Sequence, residues 1–297
     1  ERLQGVNFRS LPKTLARSPG FPPWGRCCRR ARRWPPWPEG FSVAIWAFDG
    51  SFEGLLSLFA ELFRRNEIPD DLVVQGEGAQ GTLFAPVFVP THESAAEAFA
   101  RAVRRRLGDR TFDAVMLAFL AERPRMALAL WRYLDFGRRE GPAFFLQVGD
   151  PRVRPVQLAR RAVLGETHRL LGLVRFELLR EMLYAPLEPR HNVLELLGPP
   201  FLRRLPGERW MLHDVARRKA VYFDGEALQA AEAPGEALVC APEGEENYKR
   251  LWQRYFAAIA VEHRRNIRRQ KHFIPERYWK FLPEKALMPD DPGATPA

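Results

Sequence analysis

The residues best able to move protons lie in one short run, Tyr184-Ala185-Pro186-Leu187-Glu188-Pro189-Arg190-His191-Asn192. It places a carboxylate, an imidazole and an amide close together, and the prolines flanking Glu188 pin a polar corner. Ordered loops are common seats for binding and catalytic groups. Glu188 can act there as a general base, and His191 as a proton donor or phosphate ligand. A structural reading stands beside this one: Glu188 holding loop amides and Asn192 capping the next helix. His213 is a further acid–base candidate. Its neighbour Asp214 points to the opposite face of a strand, so the pair is not itself a dyad. His168, His191 and His213 can meet at a metal only through the fold, and no pair has helical i, i+4 ligand spacing. Neither a metal nor a cofactor is expected.

A second constellation is basic and aromatic. Arg264, Arg265, Asn266, Arg268 and Arg269 are followed by Arg277, Tyr278, Trp279 and Lys280. Guanidiniums bind phosphates bidentately, and Phe273, Tyr278 and Trp279 can stack on unpaired bases. The alternative is an ordinary helix with its aromatics in the core and its arginines solvated. Arg160, Arg161 and Arg169, on a basic amphipathic pattern over Val156–Leu171, extend the same chemistry.

Other chemistries are excluded by what is missing. The sequence has no G-x-x-x-x-G-K-[ST], G-x-G-x-x-G or G-x-S-x-G motif, which argues against nucleotide hydrolases, dinucleotide enzymes and α/β hydrolases. Three cysteines, Cys27, Cys28 and Cys240, make neither a disulfide framework nor a zinc or iron–sulfur spacing. No apolar run approaches the ~20 residues of a membrane span. The expected location is cytoplasmic.

The net charge is +10 over 297 residues. Its distribution says more than its size. Residues 1–40 carry +7, 151–219 carry +7 and 249–285 carry +8, whereas 220–248 carry −7 with no basic residue. Residues 1–40 hold seven prolines and no helical or strand period. They read either as a basic nucleic-acid arm or as a disordered leader upstream of the native start. Residues 41–285 read as one domain, with a subdivision near 150, and 286–297 as a disordered tail.

These residues must be positioned by a mixture of helices and hairpins. Phe41–Phe48 reads as a strand, and Asp49-Gly50-Ser51 as a turn and cap for a helix from Phe52 that Pro69 stops. Thr82–Val89 is a second strand. Helices follow over Glu93–Leu107, capped near Thr91, and from Phe112 to Phe136 with a break at Pro124. Gly172–Phe176 and Met182–Leu187 form a hairpin. Asn192–Leu205 is a helix interrupted at Pro199-Pro200. Arg209–Val215 and Lys219–Phe223 form a second hairpin with a turn at Asp224-Gly225 and room for a third strand, and 226–247 is an acidic loop. Tyr248, Leu251, Trp252, Tyr255, Phe256 and Ile259 recur at helical spacing, as a long amphipathic C-terminal helix leading into Arg264. The fold class is α+β.

The stretches Phe48–Gly54, Gly172–Phe176, Leu183–Asn192, Glu208–Trp210 with His213-Asp214, and Phe273–Lys280 resemble, in order and spacing, a bacterial family of unknown function connected with DNA metabolism and DNA repair. The resemblance covers about residues 43–284. It implies DNA, single-stranded or damaged, and a radical-SAM protein as partners. Some members are fused to a uracil-DNA glycosylase-like domain, which implies such a protein as a further partner. No glycosylase-like half follows residue 285, and residues 1–40 match nothing in the family.

The expected function is therefore DNA binding beside a radical-SAM enzyme. The alternatives are an enzyme acting on DNA through Glu188 and His191, and a scaffold that docks the partner.

Overall fold

The computed structural model describes residues 44–76, 85–238, 245–259 and 266–285. The basic arm, the tail, all three cysteines, Arg264 and Arg265 lie outside the described residues.

Strand β1 (Ile45–Phe48) is buried at all four positions. An apolar run without alternation is what a central strand covered on both faces requires. It lies between β2 (Asp71–Val74) and β3 (Val87–Phe88), parallel to both. No element is expected over 71–74, where four residues carry too little pattern to announce a strand. Of the strand expected over 82–89, residues 85–89 are described, and only β3 forms among them.

The turn after β1 is closed as its sequence suggests. Asp49 accepts from the Ser51 amide and hydroxyl, and Ser51 Oγ accepts from Gly54 N at 2.8 Å. Ser51 thereby caps α1 (Phe52–Arg65), which ends at Asn66 in the left-handed region, φ 55°, before Pro69 is reached. α2 (Glu93–Leu107) begins without a side-chain cap, because the Thr91 hydroxyl donates instead to Asp49, at 2.6 Å. α3 (Asp109–Phe119) and α4 (Met126–Glu140) flank the break expected at Pro124. α5 (Arg154–Leu173) runs two residues longer at each end than its apolar period. It absorbs Gly172, so the expected Gly172–Phe176 strand does not form. Phe176 instead packs edge-on against Phe201 at 5.2 Å, and pairing starts at β4 (Glu177–Leu179).

The second sheet has the order β4-β5-β6-β7-β8, with β5 (Met182–Leu187), β6 (Trp210–Asp214), β7 (Lys219–Phe223) and β8 (Leu228–Glu232). Three pairings are antiparallel hairpins, and β8 replaces part of the expected acidic loop. β5 and β6 are parallel, joined by a crossover through α6 (Leu194–Arg204). α6 passes through Pro199 and Pro200 without interruption. Two backbone hydrogen bonds are forgone, and the buried Leu194, Leu197 and Phe201 hold the helix to the sheet. The mixed architecture is α+β.

One hydrophobic cluster runs from Trp46 through all of α1–α5 to Trp210, Phe223 and Tyr278. The C-terminal part comprises α7 (Glu245–Ile259) and α8 (Ile267–Phe273), then short 3-10 turns at Glu276–Phe281 and Pro283–Lys285. Asn266 has extended backbone and starts α8 afresh, so the helix expected to continue past Arg264 is not continuous through 266. No helix among the described residues is long and apolar enough to cross a membrane.

Candidate nucleic-acid interface

The junction of the two basic blocks is built around Glu166. On α5 it continues the apolar series Val156, Ala159, Val163 and Leu170, and it is only 4% exposed. A carboxylate in that position needs partners, because an unpaired buried charge is costly. It has three. Glu166 Oε1 accepts from the Arg190 amide at 2.7 Å and from the Tyr278 hydroxyl, and Oε2 accepts from the His191 amide at 2.9 Å. The C-terminal block is thus fastened to α5 by a bond spanning 112 positions. Burial, and then the bond to Glu166, raise the phenol pKa of Tyr278, so it stays a donor. Arg169 and Arg277 both lie close enough to act on that hydroxyl.

His191 is buried beside this carboxylate. Its Nδ1 is 3.1 Å from the Ala121 carbonyl oxygen, which can only accept, so Nδ1 carries the proton. Nε2 then presents its lone pair 4.0 Å from Glu166 Oε2. Burial pushes the imidazole below its ordinary pKa. The Ala121 carbonyl and Glu166 oppose that shift, while Arg123 and Arg190 add to it.

The three acid–base candidates are not brought together. Glu188 pairs with Lys280 at 2.5 Å, which ties the loop to the basic block. His191 is committed to Ala121. His213, fully buried in β6, has Nε2 2.9 Å from the Pro234 carbonyl and Nδ1 2.7 Å from Tyr184 Oη. The carbonyl requires a proton on Nε2, so Tyr184 donates to Nδ1, while its oxygen accepts from the Leu238 amide at 3.0 Å. His213 therefore holds the 234–238 segment against the sheet. No hydrogen bond joins Glu188, His191 and His213 to one another. His168 is exposed on α5. No group of three His, Cys, Asp or Glu among the described residues is arranged to hold a metal. The loop amides are held by Glu166 and not by Glu188. Asn192 is not the cap of α6, since Val193 holds the cap position without a side-chain bond and the Asn192 amide donates to Leu120 O.

The basic residues divide by exposure. Arg161, Arg268, Arg269, Arg277 and Lys280 are exposed, and Arg169 is half-buried. Arg160 turns its Nε inward without a partner. Asn266 is exposed and caps α8, its Oδ1 accepting from Arg269 N at 2.9 Å. Two of the expected stacking aromatics are otherwise engaged. Tyr278 is 3% exposed and belongs to the core. Trp279 is half-buried, donates to Ile274 O at 2.9 Å, and has Lys271 and Lys285 over its ring at 5.9 and 4.5 Å. The exposed aromatic of this block is Phe273.

Sequence reasoning missed Glu166 and Arg217. A carboxylate within the apolar stripe of α5 was the available signal for Glu166. Arg217, in the turn between β6 and β7, offered none. Its Nε and Nη2 donate to Glu122 at 2.8 and 2.7 Å, Nη1 to Asp214 and the Pro189 carbonyl, and Nη2 also to the Arg190 carbonyl. All five N–H donors are used, and the loop carrying Glu188 and His191 is held from both sides.

No curated protein and no solved structure matches this chain. A family model, that of the domain of unknown function DUF4130, matches residues 124–284. The match takes in more than half of the chain and every element from α4 to the last 3-10 turn, including the Glu166–Tyr278 junction and the arginine-stitched loop. The chain belongs to the DUF4130 family.

Proposed function

We propose that this protein binds DNA, single-stranded or damaged, and acts in DNA metabolism or repair together with a radical-SAM partner. The observation that carries the reading is the Tyr278–Glu166 bond. It couples the two basic blocks, 151–219 and 249–285, which the sequence separates by an acidic stretch. Arg169 and Arg277 both act on the Tyr278 hydroxyl there, and Arg161, Arg268 and Arg269 remain exposed. Phosphate binding by such residues releases counterions and is therefore salt-dependent. The radical-SAM partner and the uracil-DNA glycosylase-like partner rest on the resemblance given above, and the cytoplasmic setting on the sequence reading.

The test is fluorescence anisotropy with single-stranded, duplex and lesion-bearing DNA at two salt concentrations. Binding is expected to weaken with salt and to weaken further in R277Q and R169Q, with a salt slope shallower by about 1 per lost phosphate contact. Absent binding, or binding indifferent to salt and to both substitutions, overturns it.

A second reading, a scaffold for the partner, is favoured by α7. Its Tyr248, Leu251, Tyr255 and Ile259 are exposed, while Trp252 Nε1 and Gln253 Nε2 fasten the helix to Glu284 and the Pro283 carbonyl at 3.0 and 2.9 Å. Co-purification with the radical-SAM protein in the presence of nuclease separates direct docking from DNA bridging. Loss of co-purification in L251D/Y255D assigns it to α7.

A further inference from the structure

A cleft of about 530 Å³ opens between the start of α4, the start of α5 and the start of β2; Arg154, Pro155 and Leu158 come from the first basic block and the rest of its lining from outside both blocks. Four arginines line it: Arg123, Arg125, Arg132 and Arg154. All four are exposed, and none of their guanidiniums has a hydrogen-bond, ion-pair or ring partner among the described residues. Several arginines elsewhere on the helices and turns do take a carboxylate. Arg64 and Arg65 share Glu61, Arg138 and Arg139 share Asp135, and Arg152 takes Asp150.

The cleft also contains Asp70 and Asp71, each with one carboxylate oxygen bound to a backbone amide. Asp70 Oδ2 accepts from the Ala44 amide and Asp71 Oδ1 from the Leu72 amide, each at 2.9 Å. Both carboxylates keep their charge, so four positive charges face two negative ones and the lining retains a surplus of two positive charges, which favours an anion. The N-termini of α4 and α5 add to the positive field on the same wall. The floor is apolar, with Leu128 beneath and Leu158, 46% exposed, at the rim. Arg125, which immediately precedes α4, and Arg132 within it are seven residues apart, about 10 Å along the helix axis. A basic rim above an apolar floor suits a nucleotide, whose phosphate takes the guanidiniums bidentately while the sugar and base cover the floor. Arg123 also lies near enough to His191 to act on its imidazole, which links the cleft to the loop already described.

We infer that this cleft is a nucleotide-phosphate site. Under the DNA-binding reading above, on which the identity of the phosphate carrier rests, it is filled by backbone phosphates of single-stranded DNA. The cleft is sized for one unpaired nucleotide and not for a duplex.

The experiment compares the full chain with R132Q/R154Q, and with R101Q/R105Q as a control of equal charge change on the exposed face of α2. Circular dichroism confirms the fold of each. The probes are a fluorescein-labelled 12-nucleotide single strand, followed by anisotropy across salt, and a nucleoside triphosphate, followed by calorimetry. R132Q/R154Q is expected to bind the single strand about tenfold more weakly, with a slope shallower by about 1–2, while the control keeps the wild-type slope. If wild type and R132Q/R154Q bind the strand with the same affinity and slope, the cleft proposal is overturned and the DNA reading stands. If wild type ignores the strand but binds the triphosphate, and R132Q/R154Q does not, the DNA reading fails and the phosphate site stands. Binding of neither probe by wild type overturns both.

Discussion

Replacing Arg217 tests how the site-bearing loop is held. R217M keeps much of the side-chain length but removes five N–H donors and the charge. Its partner Asp214 is fully buried, so the substitution leaves a carboxylate in the sheet with only the backbone amide of residue 217 for company. Breaking a buried pair from one side costs about 3–5 kcal/mol. The bond to Glu122, which is partly exposed, adds about 0–1 kcal/mol. The carbonyls of Pro189 and Arg190 turn to solvent or stay unpaired, at about 1 kcal/mol each. These terms overlap, so the expected loss is about 4 kcal/mol, a large part of a stability that is typically 5–15 kcal/mol. R217K should recover about half, because an ammonium can meet Asp214 but cannot span four acceptors in a fork. D214N/R217M should cost less than the sum of its parts, since the stranded charge is gone. Urea unfolding at neutral pH, followed by far-ultraviolet circular dichroism, reads all three. An R217M protein within about 1 kcal/mol of wild type, or a D214N/R217M protein with strictly additive losses, would falsify the buried-charge argument.

Two further outcomes follow from the Glu166 junction. Y278F removes the hydroxyl that fastens the C-terminal block to α5, and should cost about 1–3 kcal/mol. It should also speed proteolysis near Arg268 and Arg277; cleavage at the wild-type rate would mean that apolar packing alone holds the block. For His191 the folded pKa lies below the ordinary 6.5, so below that value the unfolded chain takes up a proton that the fold refuses. Its contribution is complete above pH 6.5 and is lost as pH falls toward the depressed value, with a slope of at most about 1.4 kcal/mol per pH unit. H191Q should therefore lose less stability than wild type between pH 7 and pH 5, and parallel losses in the two proteins would refute the assignment.

How much was legible in the sequence differs between elements and site. α1, α2 and α4 follow from apolar spacing with Ser51, Gly108 and Pro124 as punctuation, each signal lying within about fifteen residues of the helix it bounds. The same holds for the hairpin at Asp224-Gly225. Where the local signal was overruled, packing did it. Gly172-Leu173 has the composition of a strand start but finishes α5, and the two prolines of α6 are tolerated because Leu194, Leu197 and Phe201 are buried.

The site depended on contacts with no local trace. The basic–aromatic block could be seen, but which of its aromatics face solvent could not. Tyr278 is spent on Glu166, 112 positions away, and Phe273 is left outside. Glu188 and His191 were found as residue types in a pinned loop. That Glu188 meets Lys280, that His191 meets Ala121, and that Arg217 binds the loop across to Glu122 are consequences of pairing at separations of 70 to 95 positions. The sequence by itself determined residue type, local period and the blocks of charge, because these depend on neighbours along the chain. Only the tertiary structure decided which charges are neutralised by partners and which, as at Arg123, Arg125, Arg132 and Arg154, are left without one. Coulomb energy and desolvation depend on distance through space and on burial, and neither quantity exists until the chain has closed.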